Sequence, residues 1–72
     1  MSRIKKFGEA VRTLRNSRGY TQEELAEKAG IHVNSVSLVE RGLTPPTLDT
    51  ICSIADALEI RVSDLVKEME TR

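Results

Sequence analysis

The run VNSVSLVER, residues 33–41, places two hydrogen-bonding side chains, Asn34 and Ser37, between two apolar ones, Val33 and Leu38. At helical spacing Val36, Val39 and Glu40 share one side, which leaves Val33, Asn34, Ser37, Leu38 and Arg41 on the other. An amide donates to and accepts from the edge of adenine at once, and apolar carbons pack on a thymine methyl group. Reading base edges in a major groove needs these groups. Ser35 and Ser37 are of a length to reach phosphate or base edges, while Arg41, near the end of the segment, suits backbone charge. Ordinary scattered exposure would also account for Val33 and Leu38, since much of any folded surface is apolar.

Other chemistries find little to work with. The chain holds one cysteine, Cys52, and one histidine, His32. They make neither an internal disulfide nor a zinc site, so no metal and no cofactor is expected. Cys52 reads as a small apolar residue on or near a buried face. No serine, histidine and acid arrangement and no glycine-rich phosphate loop is present, which argues against an enzyme and against a small-molecule ligand.

With 72 residues the chain is expected to form a single domain, 1–72, with a modest core that a partner subunit would help to stabilise. No apolar run approaches a membrane span, and the charged start MSRIKK does not resemble a signal peptide, so a cytoplasmic protein is expected, away from any membrane. The net charge of zero hides an asymmetry. Residues 1–20 set Arg3, Lys5, Lys6, Arg12, Arg15 and Arg18 against Glu9 alone, a surplus of five, and residues 21–72 carry the opposite surplus. Such a dipole lets one side face phosphates, although a solvated helix face would look the same.

Five helices would position these groups. Ile4, Phe7, Val11 and Leu14 make one stripe of a first helix over residues 4–17, with Ser2 as N-cap and Gly19 as stop. Thr21 and Glu24 spell a capping box for the second, in which Leu25, Ala26 and Ala29 face inward. Gln22 opens that helix, its amide directed outward beside free backbone N–H groups that favour an anion. Gly30 allows the left-handed turn into the third helix, residues 33–41, and Ala26 is small enough for the two to cross closely. The unit over residues 21–41 is a helix-turn-helix, whose second helix enters a major groove. After Gly42 and the stiff loop 43–46, Thr47 caps a fourth helix running through Leu58, with Leu48, Ile51, Ala55 and Leu58 as its inner stripe and Ile54 beside it. A fifth starts near Val62 or Ser63 and runs to about Met69, turning Leu65 inward. Ile60, Val66 and Met69 either close the small core or meet another copy across a two-fold axis, and the dimer is the preferred reading.

The segments YTQEELAEKAG, SVSLVERG and PTLDTICSIADAL, in this order and spacing, resemble the Cro/CI-type (XRE family) helix-turn-helix regulators of phage repressors and restriction-modification controller proteins. The likeness spans Phe7 to about Leu65. It implies an all-α, compact five-helix Cro/CI (lambda-repressor-like) domain that binds double-stranded DNA. Gln22 matches the family's phosphate-binding glutamine; Val33, Asn34, Ser37 and Leu38 match base-contacting positions, and Ser35 and Arg41 backbone-contacting ones. Arg15 and Glu40 match a buried ion pair between the first and third helices, in keeping with the cost of an inward carboxylate left alone. Two features depart from the pattern. Val33 and Asn34 stand where many relatives carry glutamine or arginine, which leaves fewer long side chains for guanine. The loop 43–46 also lacks basic residues.

The resulting expectation is a sequence-specific transcriptional regulator, a homodimer on a roughly palindromic operator. With no effector domain, its occupancy would follow its own concentration, as in autoregulation. The alternative is an antitoxin-like or co-regulator interaction module, in which Val33, Leu38 and Leu43 form a protein contact. Steep weakening by salt separates DNA binding from such a contact.

Overall fold

A computed structural model, describing residues 2–72, contains five helices in order: α1 (Arg3–Ser17), α2 (Gln22–Ala29), α3 (Val33–Glu40), α4 (Leu48–Ala57) and α5 (Val62–Glu70). Each start has a local cause. Ser2 and Thr47 accept backbone N–H groups three residues on, from Lys5 at 3.2 Å and Thr50 at 3.1 Å. At Thr21 the capping box is complete: its hydroxyl accepts from the Glu24 N–H at 3.0 Å, and the Glu24 carboxylate accepts from the Thr21 N–H at 2.9 Å. Asp64 accepts the Arg61 N–H at 3.2 Å and so ties down the start of α5. Helix α3 begins on His32, whose Nδ1 accepts from the Asn34 N–H at 3.2 Å. Histidine is not among the favoured capping residues, and the sequence offered no sign of this.

The turn between α2 and α3 rests on Gly30, left-handed at φ 69°. One core gathers Phe7, Ala10 and Val11 from α1, Leu25 and Ala26 from α2, Val36 and Val39 from α3, Ile54, Ala55 and Ala57 from α4, Leu58 just after it, and Leu65 from α5. Helix α1 packs on α3 and α5, and α2 on α3 and α4. Gly8 is buried where α1 meets the end of α3: a methyl group there would press on the Val39 carbonyl and stand 2.7 Å from that of Glu40. Backbone touches backbone at this crossing, which only glycine permits.

Two expectations about the core need correction. Leu48, expected on the inner stripe of α4, is 72% exposed. The fully buried positions Ile54 and Leu58 centre the inner face. At about 100° per residue Leu48 falls roughly a quarter-turn from that centre, in the first turn. Val33, expected to point away from the core, packs against it partly buried. Its place at the first position of α3 puts it over the turn from α2. No helix among the described residues is long and apolar enough to cross a membrane.

Candidate nucleic-acid interface

The interface is organised around a carboxylate that touches no solvent. Glu40, the last residue of α3, has a side-chain exposure of 0% and gathers its hydrogen bonds from two other helices. Arg15 of α1 donates to both oxygens, from Nε to Oε2 at 2.7 Å and from Nη2 to Oε1 at 3.1 Å. Its remaining Nη1 donates to the Tyr20 carbonyl at 2.8 Å, so the same guanidinium also fixes the link between α1 and α2. Gln22 Nε2 donates to Glu40 Oε1 at 3.0 Å. Arg12 Nε approaches the same oxygen at 3.5 Å, from a side chain 52% exposed. The buried pair implied between Arg15 and Glu40 is therefore present, with Arg15 itself only 12% exposed. No buried side-chain polar atom among the described residues lacks a partner, which is the condition for a buried charge to be tolerated.

Gln22 requires a correction. Its amide does not face outward; the nitrogen is turned in to Glu40. Arg15 already bonds both oxygens of this buried carboxylate, and the first turn of α2 brings Gln22 within reach as a further donor. The backbone N–H groups of that turn lie beside it, and the capping box satisfies only that of Glu24.

The network holds the end of α3 against α1 and α2, and the start of α3 is left outward. Asn34 is exposed there, Ser37 and Leu38 are partly covered, and Arg41 is exposed as the C-cap residue. Ser35 and Leu38 turn toward the loop before α4, where they line a recess of about 160 Å³ with Thr44, Pro45, Pro46 and Thr50. Of the sequence-predicted residues, Asn34 and Arg41 are exposed, and Val33, Ser35, Ser37 and Leu38 are half-buried. Ile60 and Met69 pack partly buried against the core. Val66 and Met69 together line an apolar groove of about 240 Å³ with Ile4, Phe7, Pro46 and Ile51. Sequence reasoning missed the third donor, Arg12, and the glycine contact at Gly8. A glycine inside a helical pattern was the available signal for the second.

Among the described residues, no three His, Cys, Asp or Glu side chains are grouped to hold a metal ion. A short helix capped by Thr21, a left-handed glycine and a second helix with one polar outward face, braced from behind by an ion pair, define a helix-turn-helix protein. The family profile described as helix-turn-helix matches residues 11–65, and the chain belongs to that family, within its Cro/CI-type (XRE) branch. It is 40% identical over 65 residues to the HTH-type transcriptional regulator DdrOP3 of Deinococcus deserti, covering 90% of this chain and 50% of the relative. The chain spans about half the length of the first curated relatives it matches. Among solved structures it is similar to the restriction-modification controller protein C.AhdI from Aeromonas hydrophila, with a TM-score of 0.84 and 39% identity over 86% of this chain and 94% of that one. It is also similar to the controller protein C.Esp1396I, crystallised as a tetramer with its natural 35 base-pair operator, with a TM-score of 0.84, 26% identity and 97% of both chains covered.

Proposed function

We propose that this chain is a sequence-specific regulator of transcription that binds duplex DNA in the cytoplasm as a homodimer, without catalytic activity of its own. The observation that carries the reading is the Glu40 network, which locks the far end of α3 and leaves Asn34 exposed at the near end. Asn34 and Ser37 read base edges, and Val33 and Leu38 offer their remaining open surface to thymine methyl groups. Arg41 and Ser35 meet the sugar–phosphate backbone. Gln22 takes part through the N–H groups of the first turn of α2, its own side chain being held by Glu40. The likeness to a controller protein crystallised with its operator supports the DNA-binding reading.

The second copy meets the α1–α5 side, where Val66 and Met69 with Ile4 and Ile51 leave an apolar groove open, and Ile60 sits at the edge of the core. Two copies would set their α3 helices in successive major grooves about 34 Å apart on a roughly palindromic site.

Selection of preferred sequences from a random duplex pool, followed by gel-shift titration, tests the proposal. Asn34→Ala should lower discrimination between the selected site and random DNA by about 1–3 kcal/mol. Gln22→Ala keeps the N–H groups of the first turn of α2 and loses only the bond to Glu40, so it should leave affinity for random DNA little changed while reducing the preference for the selected site. An unchanged preference in Asn34→Ala would remove the base-reading role, and absence of affinity for any duplex at low ionic strength would end the DNA reading altogether. Val66→Glu should lower the sedimentation mass from dimer to monomer.

A further inference from the structure

We propose that the recess between α1 and the end of α3, lined by Lys5, Glu9, Arg12, Glu40 and Arg41, seats a second DNA phosphate, and that Arg12 leaves Glu40 to bind it. The inference rests on the DNA-binding reading and adds to it a specific role for Arg12, which the sequence pattern counted only within the basic surplus of residues 1–20.

The charge balance at Glu40 comes first. Arg15 already bonds both carboxylate oxygens, at 2.7 and 3.1 Å, and Gln22 adds a bond at 3.0 Å. Arg12 arrives last, at 3.5 Å, the outer limit of a hydrogen bond. Its side chain is 52% exposed, against 12% for Arg15. One buried carboxylate therefore faces two guanidiniums, of which the inner one suffices. The charge of Arg12 is left over, and moving it outward leaves Glu40 fully bonded.

The recess supplies the destination. Its volume is about 280 Å³, room for a phosphodiester group, and Lys5, Arg12 and Arg41 line it against the single exposed carboxylate of Glu9. Lys5 is held in place by close packing: a methyl at Gly42 would stand 2.6 Å from its Cγ and 2.9 Å from its Cα, so only glycine lets the stem lie across the end of α3. Arg41 forms one wall, and Arg12 shares an oxygen of Glu40 with Gln22. The seat thus lies between Gln22 and Arg41, two of the positions already assigned to the DNA backbone. A phosphate there would be met by Lys5 and Arg12 of α1 and by Arg41, the C-cap residue of α3, a charge-assisted arrangement stronger than a neutral hydrogen bond.

The test uses the full chain and a fluorescently labelled random-sequence duplex, titrated from about 50 to about 200 mM salt. Arg12→Gln is expected to weaken binding about threefold to tenfold and to reduce the slope of log affinity against log salt by about 1. Its melting midpoint should move by less than about 3 °C, because the lost contact is long and Arg15 still bonds both oxygens of Glu40. Lys67→Gln on α5 changes the net charge equally outside the recess and should keep the wild-type slope. A normal slope in Arg12→Gln beside a reduced one in Arg41→Gln would overturn the seat while leaving the DNA reading standing. An equal drop in Lys67→Gln would reduce the effect to net charge and overturn it as well. A wild-type chain that binds no duplex at low salt would sink the DNA reading itself.

Discussion

The two halves of the molecule are held by different forces. In the front half, α3 is tied to α1 and α2 by directional bonds that converge on Glu40. In the back half, Ile54, Leu58 and Leu65 are fully buried, and among the described residues every side-chain hydrogen bond stays within one helix or its own cap. Apolar packing covers a surface without fixing rotation tightly, because the attraction has no preferred direction. A carboxylate bonded on both oxygens does fix it. The difference falls where the proposed function requires it: a small rotation of α3 would swing Asn34 away from the base it is proposed to read, while α4 and α5 need only close the core.

Breaking the front half should have the largest effect. Arg15→Ala leaves Glu40 buried with only Gln22 and the distant Arg12, and should cost about 3–5 kcal/mol in a denaturant titration. Replacing both partners sharpens the comparison. Arg15→Met with Glu40→Leu should recover much of that stability, since apolar groups of similar volume can replace a buried pair. It should not restore base discrimination, because Gln22 then has nothing to hold. Full recovery of both would show that the network is no more directional than the apolar back half.

Gly8→Ala comes next and strikes the same crossing through sterics alone. Its methyl group would meet the carbonyls of Val39 and Glu40, backbone atoms that cannot turn aside. Alanine is the better helix former by about 1 kcal/mol, so a measured loss of about 1–3 kcal/mol is net of that gain. A stabilised variant would mean that α1 and α3 sit further apart than described.

Where causes are local, the sequence already displayed them. The Thr21–Glu24 box, the caps at Ser2 and Thr47 and the turn at Gly30 depend on neighbours three or four residues away, and each is present. The likeness to Cro/CI-type regulators supplied the Arg15–Glu40 pair, which no local pattern contains. What stayed hidden depends on how helices meet. Gln22 turned inward because Glu40, 18 residues on, lies within reach as an acceptor. Leu48 fell outside its stripe because the centre of the buried face is set by contacts later in α4 than its first turn. Val33 sits over the turn, where periodicity within α3 alone says nothing about burial.

In the back half a smaller change should stabilise. Glu59 follows the end of α4 with φ 59°, the one left-handed non-glycine residue among those described, and Ile60 then bonds back to the Ala55 carbonyl at 3.0 Å. A side chain with Cβ is strained there by about 1–2 kcal/mol. Glu59→Gly relieves the strain but gives the unfolded chain more freedom, so the net gain should be about 0.5–1 kcal/mol in thermal unfolding. No gain would place the strain elsewhere in that turn.

The smallest effect returns to the front half and is seen in acid. Glu24 is held below its ordinary carboxylate range, first by the bond from the Thr21 backbone N–H and then by its bond with the Thr21 hydroxyl. A lowered folded-state value means that the unfolded chain binds this proton more readily. The contribution of Glu24 is therefore complete above the unfolded range of about pH 4–5, and is lost as the pH falls through the lower folded value. Glutamine can keep the capping bond but does not titrate. Wild type and Glu24→Gln should thus differ most near neutrality and converge in mild acid, measured as denaturant midpoints across pH. Parallel curves would show that this cap owes nothing to charge, leaving Glu40 and its donors as the sole electrostatic hold on the arrangement of α2 and α3.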